Sequence, residues 1–138
     1  MKIYFAASIR GGRDQADRYP AIVQILKDQG HEILSELFTD GKLTKEGTNP
    51  DKTSQWIYQR DIDWIKQSHV VVAEVTQPSL GVGYEIAKAE EWGKTVICLF
   101  HDMGDKKLSA MIDGTASSKV IYYKQVSELE QTLAKLLQ

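Results

Sequence analysis

Two acidic residues stand where a sequence of this kind can do covalent chemistry. Asp61 lies in the segment Ile57-Tyr58-Gln59-Arg60-Asp61-Ile62-Asp63-Trp64-Ile65. At 100° per residue, Ile57, Tyr58, Ile62, Trp64 and Ile65 share one arc of a helix and Asp61 falls inside it, while Asp63 falls opposite. A carboxylate on an apolar face is costly unless it is paired or functional. Pairing to Arg60 or to a backbone group is the structural alternative. Glu85 follows Ser79-Leu80-Gly81-Val82-Gly83-Tyr84 and lies beside the stripe Val82, Ile86, Ala89 of a second helix. Placed in a first turn, it would be held ionised by the helix dipole, and simple stabilisation of the helix is its structural alternative. Together the two acids suit glycosyl transfer: one carboxylate attacks the anomeric carbon and the other manages protons.

Two turns near these acids are suited to an anion. Ser8-Ile9-Arg10-Gly11-Gly12-Arg13 follows an apolar run and precedes a helical pattern. Glycine permits close backbone approach, a helix N-terminus offers free N–H groups, and an arginine can fork onto phosphate. Ser79-Leu80-Gly81-Val82-Gly83 repeats the arrangement with a second hydroxyl. Neither stretch is a P-loop or a Gly-x-Gly-x-x-Gly fingerprint. Each alone reads equally as an ordinary tight turn. Two of them converging on one crevice point to a phosphate or carboxylate ligand. Tyr4 lies on the first apolar run and reads as strand core, or as a hydroxyl aimed at Glu85. His31, His69 and His101 have no Cys or Asp partner at metal-ligand spacing, so no metal is expected. Cys98, Trp56, Trp64 and Trp92 read as packing, Glu90 and Glu91 as solvent-facing, and Lys106 to Ile112 as surface loop.

The elements that must position these residues alternate along 138 residues. Strands are predicted over Ile3 to Ala7, His31 to Ser35, Val70 to Val75, Thr95 to Phe100 and Val120 to Tyr123. Helices are predicted over about Asp14 to Gln29, Ser54 to Gln67, Gly81 to Trp92, and a last amphipathic stretch through Val126, Leu129, Leu133 and Leu136. Pro20 is a candidate kink near the start of the first helix, and Gly30 a stop signal. Phe38 to Thr53 reads as one long loop rich in turn residues. The βαβ alternation predicts an α/β fold: a single domain over 1–138, a doubly wound five-stranded parallel sheet of flavodoxin or Rossmann-like type, order 2-1-3-4-5. Its crevice falls where strands 1 and 3 part, at the two turns above.

Composition excludes several partner classes. Apolar residues make up 42%, charged residues 26%, and the formal net charge is −2, which disfavours a general nucleic-acid surface. No apolar run reaches membrane-span length, and the N-terminus lacks the apolar stretch of a signal peptide, so a cytoplasmic domain is the default expectation. The lone Cys98 allows no internal disulfide.

Tyr4 to Arg13, the stretch from Asp61 through Val75-Thr76-Gln77-Pro78-Ser79-Leu80-Gly81-Val82-Gly83-Tyr84-Glu85, and Leu108-Ser109-Ala110-Met111-Ile112 resemble the 2′-deoxynucleoside 5′-phosphate N-hydrolases, within the nucleoside 2-deoxyribosyltransferase superfamily. The resemblance spans nearly the whole chain, breaking mainly over residues 38–53. It implies that Glu85 attacks C1′ of a deoxyribose, that Asp61 assists proton transfer and sugar positioning, and that Tyr4 orients Glu85. It implies a 5′-phosphate held by Ser8, Arg10, the Gly11-Gly12 turn and Ser79. Ala7, Ile9, Arg13, Gly81, Gly83 and Met111 would line the same substrate site. Ser109 would reach the phosphate of a neighbouring subunit, making the active unit a homodimer; no cofactor is implied. Ala7 stands where the family carries Gly, and Leu37 where relatives carry His, which leaves base preference open. A deoxyribosyltransferase, a ribonucleotide N-glycosidase and a flavin- or nucleotide-binding module are the competing readings.

Overall fold

The computed structural model describes residues 1–8, 17–35 and 51–138. Five strands form one sheet: β1 (Lys2–Ala7), β2 (Glu32–Ile33), β3 (Val70–Glu74), β4 (Thr95–His101) and β5 (Ser118–Tyr123). Their order is β2-β1-β3-β4-β5, and every pairing is parallel, as expected. The helices are α1 (Arg18–Asp28), α2 (Ser54–Gln67), α3 (Leu80–Glu91), the short α4 (Ala110–Asp113) and α5 (Leu129–Leu136), the last entered through a 3-10 turn at Val126–Glu128.

Strand alternation sorts the side chains into two cores. Ile3, Phe5, Ala7, Val70, Val72, Ile97 and Leu99 pack with α1 and α5 residues such as Ile22, Leu26 and Leu133. Tyr4, Ala6, Val71, Ala73, Val96 and Cys98 pack on the other face with Ile65 of α2 and Val82, Ile86 and Ala89 of α3. Each fully buried aliphatic side chain contributes roughly 1.5–3 kcal/mol. The alternation has a consequence for function: Tyr4 points towards α2 and α3, whereas Ala7 points away from them.

Local signals explain most boundaries. Thr53 caps α2 by accepting from Trp56 N at 3.1 Å, and Ser79 caps α3 by accepting from Val82 N at 3.3 Å. Pro20 is the third residue of α1, inside the first turn, where its missing N–H costs nothing, so the expected kink has no cause there. Gly30 ends that helix at φ +84°.

The second strand is shorter than expected. Ser35 leaves the ladder, and its hydroxyl takes over both backbone partners, accepting from Phe5 N at 2.8 Å and donating to Phe5 O at 2.7 Å. At the opposite edge β5 starts two residues early, at Ser118 opposite Val96. The expected loop from Lys106 to Ile112 instead runs into α4, with Ser109 at its N-terminal boundary. The long predicted loop lies outside the described residues from 36 to 50, as does the expected helix start at 14–16.

Glu74 ends β3 and is fully buried on the α1 face. Its Oε1 accepts from Thr76 N at 2.7 Å and its Oε2 from Tyr123 OH at 2.9 Å, with Arg18 Nη2 at 3.6 Å from Oε2. A buried carboxylate is tolerated because its lone pairs are taken up in this way.

Candidate active site

The parallel sheet brings the C-terminal end of β1 beside that of β3, with Ala7 in register with Glu74. Ala7 and Ser8 are both buried there. Ile9, Arg10, Gly11, Gly12 and Arg13 lie outside the described residues, so the structure places only the entrance of that turn. From β3 the chain runs through Thr76 to Ser79 and into α3, which carries Glu85.

Tyr4, Asp61 and Glu85 come together between β1, α2 and α3. The two acids act electrostatically on one another's surroundings: Asp61 raises the Glu85 pKa, and both raise that of Tyr4. Burial is the larger influence on all three. It pushes Glu85 up to about 7, against lowering by hydrogen bonding from the Tyr4 hydroxyl and by the Arg60 charge. Burial also pushes Asp61 above the ordinary carboxylate value, opposed by Arg60, and pushes Tyr4 well above 10.0. Glu85 Oε2 is buried with no hydrogen-bond partner among the described residues.

This corrects the expectation for Glu85. The residue sits in the second turn of α3, not the first, and desolvation outweighs the dipole. Burial thus favours its protonated form rather than holding it firmly charged. An unpartnered, desolvated carboxylate oxygen is a poor structural element and a good nucleophile. For Asp61 the structural and functional readings coexist. Its Oδ1 accepts from Arg60 Nε at 2.9 Å, yet it also faces Glu85. The expected apolar arc is only partly internal: Ile62 and Ile65 are buried, whereas Tyr58 is half exposed and its hydroxyl meets that of Tyr84 at 3.3 Å.

The anion-holding half is partly visible. Ser79 Oγ uses a lone pair on Val82 N, which leaves its hydrogen free to donate, and first-turn N–H groups lack intrahelical partners. Neither nearby glycine is demanded by packing. Among the described residues, a Cβ at Gly83 would meet nothing within 4 Å, and one at Gly81 would meet only Ser79 Oγ, at 3.8 Å. These glycines leave space rather than relieve strain.

Ser79 and Gly83 open onto a cavity of about 520 Å³ that Ser109, Met111 and Glu90 also line. Neither Glu85, Asp61 nor Tyr4 lines it. The helix wheel gives the reason: Glu85 and Glu90 are about 140° apart around α3, on opposite flanks of its buried stripe. Glu90, expected to face solvent, instead accepts from Thr115 Oγ1 at 3.0 Å and from Ser118 Oγ. Within one chain, then, Ser109 and the exposed Met111 line a cavity on the Glu90 flank of α3 that the acid cluster does not line. Among the described residues no group of three His, Cys, Asp or Glu side chains could hold a metal ion, and no helix is long and apolar enough to cross a membrane.

Residues 3–133 match the family described as Nucleoside 2-deoxyribosyltransferase. The chain belongs to that family. Within it, a Tetraodon nigroviridis protein named 5-hydroxymethyl-dUMP N-hydrolase is 44% identical over 135 residues, 96% of this chain and 94% of that protein. A Danio rerio protein of the same name is 45% identical over 125 residues, 91% of this chain and 85% of that protein. The solved CMP N-glycosidase of Clostridium botulinum shares the fold with a TM-score of 0.71 at 20% identity, covering 100% of both chains. The shared fold agrees with the sheet order β2-β1-β3-β4-β5 described above.

Proposed function

We propose that this chain hydrolyses the N-glycosidic bond of 2′-deoxynucleoside 5′-monophosphates, giving free base and 2-deoxyribose 5-phosphate. The observation that carries this reading is the Tyr4–Asp61–Glu85 cluster, with a buried Glu85 oxygen that has no hydrogen-bond partner among the described residues. The N-hydrolase names of relatives at 44–45% identity support the reaction class.

In the first step a Glu85 carboxylate oxygen bonds to C1′ as the C1′–N bond breaks. The bonding pair leaves with the base, which takes its proton from the Asp61 carboxyl or from solvent, leaving Asp61 as a carboxylate able to accept one in the next step. In the second step water attacks C1′, its proton passes to Asp61 or solvent, and Glu85 is released as carboxylate. Tyr4 keeps Glu85 oriented and supports its charged form. A sugar without a 2′-hydroxyl reaches the oxocarbenium-like state more easily, which suits a carboxylate nucleophile. Ser8, Arg10 and Ser79, with Ala7, Ile9, Gly11, Gly12, Arg13, Gly81 and Gly83 around them, hold the 5′-phosphate. Those remote contacts supply positioning energy at C1′.

The active unit in this reading is a homodimer in which Ser109 and Met111 of one copy complete the site of the other. The separation of Ser109 from Glu85 around α3 supports that arrangement, since one chain keeps the two on different flanks.

The test is incubation with 5-hydroxymethyl-dUMP, other deoxynucleotides, ribonucleotides and free nucleosides, with and without an acceptor base. Chromatography then reads the products. Base release from deoxynucleoside monophosphates without an acceptor supports the proposal. Turnover only with an acceptor base and an unphosphorylated nucleoside assigns a transferase instead.

A further inference from the structure

Among the described residues, the cation that faces the acid pair is Arg60. Its side chain is 16% exposed, and its Nε donates to Asp61 Oδ1 at 2.9 Å. Its guanidinium carbon lies 5.2 Å from the ring centroid of Trp56 and 4.8 Å from that of Trp64. These indoles stand four residues before and four residues after it on α2, so the three side chains stack along one helix face. A guanidinium held this way keeps a single orientation and is weakly hydrated, unlike an ammonium on a mobile stem. Its charge reaches beyond Asp61, favouring the ionised forms of Glu85 and Tyr4 as well.

We propose that Arg60 is a positioning residue of this site: clamped between Trp56 and Trp64, it fixes the Asp61 carboxylate and balances the negative charge that Asp61 and Glu85 bring together. The inference rests on the hydrolase reading above and extends it to a residue outside the reacting groups. Two carboxylates sharing a desolvated site repel, and each favours protonation of the other. Glu85 must be ionised to attack C1′, so an adjacent fixed cation decides how much of it is competent at neutral pH.

No other charged group of the described residues competes for this task. Glu85 is faced by Tyr4 from β1 and by Asp61 and Arg60 from α2. On the same sheet face β4 presents Cys98, whose thiol answers to Ser118 and Glu90. Glu74 of β3 belongs to the opposite face, with Arg18 and Tyr123.

The test compares the pH dependence of kcat and KM for the wild type, Arg60→Met, Arg60→Lys and Glu85→Gln, with 5-hydroxymethyl-dUMP as substrate. Arg60→Met removes the cation but keeps a long apolar stem between the indoles. Its kcat at pH 7 is expected to fall about tenfold or more, and its profile to move about half a unit or more to higher pH, with partial recovery in alkali. KM is expected to change less than about threefold, because the phosphate contacts remain. Arg60→Lys restores the charge without the Nε contact, so its midpoint stays near that of the wild type while its plateau kcat drops about fivefold.

A wild-type profile and kcat in Arg60→Met, or a pH-independent loss that parallels a lowered Tm, overturns the inference. Should Arg60→Met not fold, an undiminished plateau kcat in Arg60→Lys overturns it alone. Full base release by Glu85→Gln sinks the underlying reading instead, so the two failures are distinguishable.

Discussion

Glu85 is under two opposed demands. A nucleophile must be ionised, and burial at the α3 face pushes this carboxyl from 4.5 up to about 7. Between those values the folded protein binds a proton that the unfolded chain does not. Stability from this group is therefore fully present below about pH 4.5 and is lost as pH rises through 7. Glu85→Gln has no such loss, so its stability advantage over the wild type is expected to grow between pH 4.5 and 8 by on the order of 3 kcal/mol. Denaturant titrations at both pH values check this, and a constant gap contradicts it. Tyr4→Phe removes the hydrogen bond that favours the carboxylate. Its kcat/KM profile is expected to shift to higher pH, with activity at pH 7 reduced about tenfold or more; an unmoved profile removes Tyr4 from the mechanism. Little of this charge state was legible in the sequence. The wheel places Glu85 beside an apolar stripe, but the balance between helix dipole and desolvation depends on what α2 and β1 bring against it. Arg60 was visible only as a partner for Asp61, although the four-residue spacings to Trp56 and Trp64 already signalled a stacked cation.

At the scale of elements, α2 and α3 are the two arms that hold the acids, and both begin at a hydroxyl cap. Ser79→Ala is expected to cost about 1 kcal/mol of stability through loss of the cap. If Ser79 also donates to phosphate, KM rises for the nucleotide and not for the matching nucleoside, a split that steady-state kinetics reads directly. Ile65 holds α2 against the sheet and is fully buried, so Ile65→Ala is expected to lose about 2–5 kcal/mol. Element boundaries were readable where a side chain marks them. Gly30, the expected stop signal, ends α1, and α2 spans the expected residues. The end of β2 was not readable, because Ser35 imitates a backbone pair with its side chain. The helix at 110–113 was missed for a different reason: four residues carry no periodicity, and exposed Met111 gives no core signal.

At the scale of the whole molecule, strand order did the most to make the site legible. A parallel sheet ordered 2-1-3-4-5 parts its connections between β1 and β3, so the segments that begin at Ser8 and Val75 leave the sheet from adjacent strands. What one chain leaves open is that Ser109 lines a cavity that Glu85 does not reach. The dimer reading turns that separation into a prediction. Glu85→Ala and Ser109→Ala are each expected to be poorly active alone. Mixed in equal amounts and allowed to exchange, half the dimers carry one intact site, so activity returns to about a quarter of the wild-type level. Mixing that leaves activity at the average of the two variants means that Ser109 serves its own chain or none.

The most direct measurement is the rate of free-base release from 5-hydroxymethyl-dUMP by Glu85→Gln, followed by chromatography beside the wild type. Loss of the attacking carboxylate in a folded protein is expected to lower kcat by on the order of a thousandfold or more. Release at the wild-type rate would contradict the assignment of Glu85 as the group that bonds to C1′.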